Sequence, residues 1–300
     1  MNISVRAYRR KDDFERVGQF LLETYRPGRQ HSNWLQSRWE YMHYHPLLDE
    51  SALPNIGIWE SDGSIAGVAH YEDVTGSAFF QIHPGFAYLK LEMLLYAENH
   101  LYKELADGRR YLGVFINNFD SEFESIAAAR GYKKLENPTD AWSAFVIPHP
   151  FPEIILPAGF RLRSLQDDND LKKLDRVLHR GFNHPGEPPA DGIEGRRKMQ
   201  SAPNYNKDLN IFVEAPGGSY GAYCGMWYLE KNGVAMVEPV CTDPDYRRMG
   251  LGRAAVLEGI RRCGELGATV AYVGSQQDFY LEMGFELLFT INFWAKYLES

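Results

Sequence analysis

"TDPDYRRMGLGRAAVLEGIRR", Thr242 to Arg262, decides how the second half of this chain folds. It opens on a proline-containing turn, passes Arg247 and Arg248, and then carries Gly250 and Gly252 one residue apart. Behind the glycines, Val256, Ile260 and Cys263 fall at i, i+4 and i+7, the apolar stripe of an amphipathic helix. Ahead of the turn, "GVAMVEPVCT" is a β-rich run ending at Thr242 and interrupted by Pro239. Proline cannot donate to a ladder, so Pro239 predicts an edge or a bulge, and a bulge can splay a strand from its neighbour. Strand, bare turn and helix start together make an anion site. Unpaired N–H groups point out of the first helical turn, the helix dipole adds partial positive charge, and glycine leaves the amides uncovered. The arginines add charge-assisted donors.

Three motifs compete for this turn. A Walker loop needs Gly-Lys-Ser/Thr, and here Gly252 is followed by Arg253 and Ala254. A dinucleotide fingerprint is legal as Gly250-x-Gly252-x-x-Ala255, but it should leave its strand directly. Here a polar loop intervenes, and the following strand "ATVAYVGS" lacks the acidic residue expected for a ribose. The third fits best. Arg247-Arg248-Met249-Gly250-Leu251-Gly252, after a strand with a bulge proline and about thirty residues before "FYLEMGF", resembles the pyrophosphate turn of the GNAT superfamily of acyl-CoA-dependent N-acyltransferases. The resemblance is specific from Met236 to Phe285 and looser back to Phe160.

That resemblance implies a V-shaped opening between "VAMVEPVCT" and "ATVAYVGS", with acetyl-CoA as cosubstrate lying in it. It implies that main-chain groups of Val240 and Thr242 hold the pantetheine arm and the acyl carbonyl. Amides of Arg248, Met249, Gly250, Leu251, Gly252 and Arg253 would cradle the diphosphate, with the Arg247 and Arg248 side chains assisting. Tyr280, four residues before Gly284, matches the thiolate-protonating position; it is either that acid or a packing residue of an amphipathic helix. Glu238, two residues before Val240, is the candidate base, acting through water, or else a solvated edge carboxylate. The pattern departs from the family where an Asn is common: "GSQQDFY" offers Ser275, Gln276 and Gln277 instead.

The first half repeats the order of the second. "ISVRAYRRKDDFERVGQFLLETY" parallels "FRLRSLQDDNDLKKLDRVLHRGF", each a short strand, an acidic turn and an amphipathic helix. "NIGIWESDGSIAGVAHYE" parallels "NIFVEAPGGSYGAYCGMWYLE" as a hairpin; "ESIAAARGYKKL" parallels "FYLEMGFELL"; and "TDAWSAFVI" and "TINFWAKYL" each close a half with an aromatic strand. Between them, Pro148, Pro150, Pro152 and Pro157 predict an extended connector. The expected architecture is α/β (α+β): two tandem GNAT-like folds, each a mixed, mostly antiparallel sheet flanked by helices with a splayed V between central strands. The expected division is a non-catalytic domain at 1–148, a linker at 149–158 and a catalytic domain at 159–300. The first half lacks the machinery. At its corresponding turn His83-Pro84-Gly85 is followed by bulky Phe86 and Tyr88, and Ala127 falls where Tyr280 would be.

Composition bounds the rest. With 300 residues and a net charge of −8, the chain has no global basic field for nucleic acid. Three cysteines without a CxxC pair argue against disulfides and zinc and for a reducing compartment. No leader pattern and no membrane-length apolar run is seen, so a cytoplasmic protein is expected, with no metal, no nucleic acid and no membrane partner. In "HSNWLQSRWEYMHYHP", Trp34, Arg38 and Tyr41 share a helical face that either packs or lines an acceptor site. His43 and His45 lack a third ligand nearby. Glu187, Asp191 and Glu194 either attract an amine or form a solvated acidic loop. The function expected is acetyl transfer to a primary amine of a small molecule or peptide, by a monomer or homodimer. The alternative is a non-catalytic acyl-CoA sensor.

Overall fold

The computed structural model describes residues 3–28, 33–137 and 140–298. His31 and Ser32, which open the aromatic-rich stretch, and Thr139 lie outside the described residues. The chain divides into two compact units, 1–43 with 47–142 and 287–300, and 44–46 with 143–286.

In the first unit the elements are β1 (Ile3–Ala7), α1 (Arg10–Thr24), α2 (Gln36–Tyr44), β2 (Gly57–Ser61), β3 (Ser64–His70), β4 (Ser77–Ile82), α3 (Lys90–His100), β5 (Lys103–Glu104), β6 (Arg110–Asn117), α4 (Ser121–Ala129) and β7 (Lys133–Lys134). β8 (Asp140–Val146) leads out of it. The second unit contains β9 (Arg161–Ser164), α5 (Leu171–Gly181), α6 (Gly192–Gln200), β10 (Ile211–Glu214), β11 (Tyr220–Leu229), β12 (Val234–Thr242), α7 (Leu251–Glu265), β13 (Val270–Val273) and α8 (Asp278–Leu281). The last strand is β14 (Glu286–Leu298).

Both units use one plan. The first runs β1-β2-β3-β4-β6-β14 and the second β9-β10-β11-β12-β13-β8. All neighbours are antiparallel except β4 with β6 and β12 with β13, which are parallel and brief. Each unit is therefore the mixed, mostly antiparallel sheet flanked by helices expected from the sequence, and each diverges at its parallel pair.

One expectation needs correction. The aromatic strands do not close their own halves. β14 pairs with β6 in the first unit, and β8 pairs with β13 in the second. Two glycine notches account for the exchange. A Cβ on Gly113 of β6 would sit 2.0 Å from the Phe293 ring of β14, so only glycine admits that ring. A Cβ on Gly264 of α7 would sit 2.9 Å from Ile147, just past β8. Both segments are aromatic strands, and Phe293 and Ile147 fill these gaps where each strand meets the other half of the sequence. The compact units thus differ from a linear division at 148 and 159 in where the closing strands lie.

The core of the first unit is aromatic, built on Trp39, Trp59, Tyr8 and Tyr71, all essentially buried. Trp34 packs there too: its ring is 4.5 Å from His70 and 4.8 Å from Phe79, with the Arg38 guanidinium 4.2 Å above it. Arg38 is held by Glu72 through two hydrogen bonds of 2.9 Å. His43 is a core residue: Nε2 lies 2.9 Å from the Tyr8 hydroxyl and Nδ1 2.9 Å from the Trp39 carbonyl. In the second unit the carbonyl of His45 accepts from Lys198. Among the described residues no group of three or more His, Cys, Asp or Glu converges as a metal set. No described helix is long and apolar enough to cross a membrane.

Candidate active site

The second unit's core lies between the sheet and α7, where Leu251, Val256, Ile260 and Cys263 face Ile211, Met226, Val237 and Ala271. The predicted stripe of α7 is therefore its buried face, which fixes its N-terminus at the end of β12. Three features build the site there.

The first is a bent strand. β11 and β12 are in register from Leu229 and Val234 to Met226 and Val237, and again from Cys224 and Val240 to Ala222 and Thr242. Between them Gly225 alone opposes Glu238 and Pro239, which is the bulge predicted from Pro239. Gly225 is required, since a Cβ there would stand 2.6 Å from the Glu238 carbonyl oxygen. That carbonyl also accepts from Trp227 Nε1 at 3.2 Å.

The second is an open edge. β12 and β13 pair only from Val234 and Val270 to Met236 and Tyr272, and then part. The Asp243 amide donates to the Gly221 carbonyl of the β11 side. Antiparallel pairing alternates, so the main-chain groups of Thr242 and Val240 face away from β11, toward the gap. The Thr242 carbonyl takes a 3.3 Å bond from Arg247 Nε.

The third is the turn. Asp243 accepts from the Asp245 amide and starts a short 3₁₀ segment over Pro244–Tyr246. Arg248 (φ +61°) and Gly250 (φ +79°) then take left-handed conformations, and α7 begins at Leu251. The first helical bond is Ala254 N–H to the Gly250 carbonyl. The six amides from Arg248 to Arg253 have no acceptor among the described residues. Gly252 permits the close approach of helix to strand: a Cβ there would lie 2.8 Å from Thr242 Oγ1.

The arginines divide their duties. Arg247 is spent on the protein, with Nη2 bonding the Gly181 carbonyl at 3.0 Å and Asn183 Oδ1 at 2.7 Å. Arg253 donates to the Glu282 carbonyl. Arg248 has no hydrogen bond or ion pair among the described residues, and it is exposed. The sequence did not reveal what holds the turn from behind. Arg180 of α5 grips Asp243 through Nε at 2.7 Å and Nη2 at 3.0 Å, and reaches Asp245 at 2.7 Å. Burial alone would lift the Asp243 carboxyl; Arg180 overrides it and keeps the group below the usual carboxylate range.

Tyr280 lies on α8, 8% exposed, with its ring against Phe279 and Phe285. Its hydroxyl has no hydrogen-bond partner among the described residues and is not sealed from solvent. Burial first, then the nearby Cys224, Glu238 and Cys241, push its pKa well above the ordinary value. Glu238, half-buried at the bulge of β12, is one of the charges behind that rise. The thiols of Cys224, Cys241 and Cys263 are buried and unpaired, and burial raises all three. Ser275, in the departing segment, accepts from Ser143 Oγ through its carbonyl and from the Gln277 amide through its hydroxyl. In the acidic loop, Glu187 pairs with Arg176 and Glu194 with Arg197; Asp191 precedes α6 without capping it.

The sequence profile of the Acetyltransferase (GNAT) family matches residues 186–285, the stretch that contains bulge, turn and Tyr280. Those residues form a GNAT domain. The solved structures that resemble the chain agree in fold over its whole length. A GCN5-related N-acetyltransferase from Sphaerobacter thermophilus superposes with a TM-score of 0.65 at 16% identity, covering 99% of this chain and 96% of that one. A tandem GNAT protein from the clavulanic acid biosynthesis pathway gives 0.66 at 14% identity, covering 100% and 99%. An N-myristoyltransferase from Saccharomyces cerevisiae, solved with myristoyl-CoA, gives 0.58 at 12% identity, covering 99% and 80%. No curated protein matches the chain in sequence. The arrangement is a tandem of GNAT folds, with the GNAT profile match confined to the second.

The first GNAT-like unit is built differently at the corresponding turn. The Gly85 amide donates to His83 Nδ1, the Phe86 amide to the His83 carbonyl and the Lys90 amide to Ala87. The sequence suggested bulk there; the structure adds donors already engaged. Ala127, the counterpart of Tyr280, is a buried core residue.

Proposed function

We propose that the second unit transfers an acetyl group from acetyl-CoA to a primary amine of a small molecule or peptide. The observation that carries this reading is the row of six unbonded amides, Arg248 to Arg253, beside an open strand edge. Such a row matches a diphosphate in charge and donor geometry, and the uncommitted Arg248 guanidinium adds to it. The outward main-chain groups of Val240 and Thr242 suit the amides of a pantetheine arm. The cosubstrate supplies an activated acyl carbon when bound, and the chain supplies position and protons.

Tyr280 is assigned the proton for the departing thiolate. Its raised pKa keeps the phenol protonated at neutral pH, and its hydroxyl has no competing protein partner. Glu238 is assigned the amine's proton, taken through water. Arg247 and Arg253, whose side chains are bound to the protein, hold the turn's shape rather than grip the ligand. The first unit is assigned no chemistry, since its turn amides are occupied and it has Ala127 in place of the acid. The free thiols suit a reducing, cytoplasmic setting.

The test is release of free thiol from acetyl-CoA across a panel of amino acids, polyamines, aminoglycosides and peptides, with myristoyl-CoA as the competing donor. Turnover with acetyl-CoA and at least one primary amine is expected. CoA binding with no turnover on any amine would replace the enzyme reading with a sensor, and a preference for myristoyl-CoA would overturn the donor.

A further inference from the structure

The first unit contains a cavity of about 420 Å³, bounded by its own residues. It lies where β4 and β6 part, since their parallel pairing ends at Ala78 and Val114 while the strands run on to Ile82 and Asn117. The outer edges are paired here. β4 pairs with β3 from Phe79 and His70 to Ile82 and Gly67, and β6 pairs with β14 as far as Asn117 and Ile291. The inner edge of each strand is therefore what borders the cavity.

Main-chain bonds fix which residues turn their backbone inward. The His83 amide donates to the Ala66 carbonyl on the β3 side, whereas the Ile82 amide donates to Asn33 Oδ1 at 2.9 Å. Asn33 Nδ2 completes that pair by donating to the Ile82 carbonyl at 3.1 Å. Direction alternates along a strand, so the N–H and C=O of Phe80 point as those of Ile82 do, away from β3. On the opposite wall the Asn118 amide donates to the Thr290 carbonyl beside β14, and the same alternation turns the Phe115 backbone inward. A further parallel rung would join the Phe80 N–H to the Phe115 carbonyl, but the pairing stops short of it. Phe80 is 9% exposed, and its N–H and C=O, like the Phe115 carbonyl, have no partner among the described residues. Buried main-chain groups are nearly always paired in native proteins, so these three, around one cavity, mark a place for a polar ligand.

We propose that this crevice binds a short, extended peptide through its main chain. Asn33 provides the pattern: its carboxamide pairs with Ile82 as a neighbouring strand would. The same edge repeats two residues back, at Phe80, roughly 7 Å away. A peptide offers what that step lacks, a carbonyl for the Phe80 N–H and N–H groups for the Phe80 and Phe115 carbonyls, as in strand addition. The lining suits such a chain because it mixes polar with apolar groups, Asn33 and Gln81 standing with Phe80, Phe123 and Ile291. Its charged members are occupied within the protein: Lys90 is held by Asp120 and Glu122, and exposed Arg26 donates to the Glu23 and Tyr25 carbonyls. The proposed contacts are neutral and use neither. With the amides of Gly85 and Phe86 engaged, the nearby turn offers no cradle for a diphosphate. The site is separate from the proposed transferase chemistry and does not depend on it.

The experiment titrates the full chain with the blocked peptide Ac-Thr-Leu-Thr-NH2 and with the same peptide methylated on its three residue nitrogens, with and without saturating CoA. Calorimetry reads affinity, and amide hydrogen exchange of the isotope-labelled chain reads location. The parent peptide is expected to fill one saturable site whether or not CoA is present, and the methylated one to bind at least tenfold more weakly. At saturation, exchange of the Phe80 amide should slow at least tenfold while the amides of Arg248 to Arg253 are unchanged. Ala87→Trp, at a half-buried lining position, should weaken the peptide at least tenfold with the melting temperature held. If that variant melts lower, exchange at Phe80 in the parent chain decides the location. Non-saturable binding, equal affinity for the methylated peptide, or unaltered Phe80 exchange at saturation would overturn the proposal. So would indifference to a stable Ala87→Trp, loss of binding on adding CoA, or displacement of the peptide by an equal concentration of pantetheine.

Discussion

Tyr280→Phe removes one oxygen and separates chemistry from packing. The phenol is nearly buried and its hydroxyl makes no hydrogen bond among the described residues. Deleting it therefore breaks no bond within the protein and relieves a desolvated polar group. The variant should be as stable as the parent, or more stable by up to about 1 kcal/mol. Its effect on turnover should be large. A positioned acid contributes roughly 10²- to 10⁴-fold, equivalent to about 3–5 kcal/mol of barrier at ~1.4 kcal/mol per decade. Affinity for CoA should stay within about twofold, because diphosphate binding uses the amides at the start of α7. The raised phenol pKa adds a second signature: turnover should not fall from loss of this proton between about pH 8 and pH 10, where an ordinary tyrosine begins to ionise. Denaturant melts, calorimetric CoA titration and steady-state thiol release provide the three readings. Turnover within threefold of the parent would refute the acid role. A stability loss above about 2 kcal/mol would mean that the hydroxyl holds the fold.

Three further outcomes follow from the geometry. Arg180→Gln should leave the buried Asp243 without its main partner, loosen the turn and weaken CoA binding about tenfold at unchanged kcat; since Arg180 is partly exposed, the stability cost is about 1–3 kcal/mol. A kcat loss at unaltered CoA affinity would argue against a positioning role. Gly113→Ala should cost at least about 1–3 kcal/mol through collision with Phe293, measurable by thermal melts, and pairing it with Phe293→Ala should recover part of that; equal instability of single and double variants would count against the notch. Acid should also destabilise the first unit. Burial lowers His43 to about 3 and His70 to about 4. Their folded values lie below the unfolded one near 6.5, so the stability they contribute is complete above about pH 6.5. It is lost as pH falls toward the folded values, by roughly 2 kcal/mol for each histidine between pH 7 and pH 5. Urea melts at the two pH values check this, and a flat profile would show that the rings become charged without unfolding.

The parts legible in the sequence were those set by backbone chemistry. Pro239 announced the bulge because a missing donor interrupts a ladder, and Gly250 and Gly252 announced a bare turn at the mouth of α7. The repeat of elements was legible from periodicity. Partner choice was not, because β8 and β14 have the same strand character and Gly113 and Gly264 reveal themselves as notches only when Phe293 and Ile147 arrive. Side-chain direction was equally hidden. Arg247 and Arg248 are adjacent and chemically identical, yet one is spent on Gly181 and Asn183 and the other is exposed and unbonded. The Arg180–Asp243 pair spans 63 positions, and in sequence Arg180 looks like an ordinary basic residue in the last turn of α5.

The most direct measurement is a crystal structure of the chain with coenzyme A. The diphosphate oxygens should lie within about 2.7–3.2 Å of amides between Arg248 and Arg253, with the pantetheine arm along Val240 and Thr242 in the gap beside β13. Coenzyme A bound elsewhere, or those amides turned to acceptors within the protein, would contradict the account.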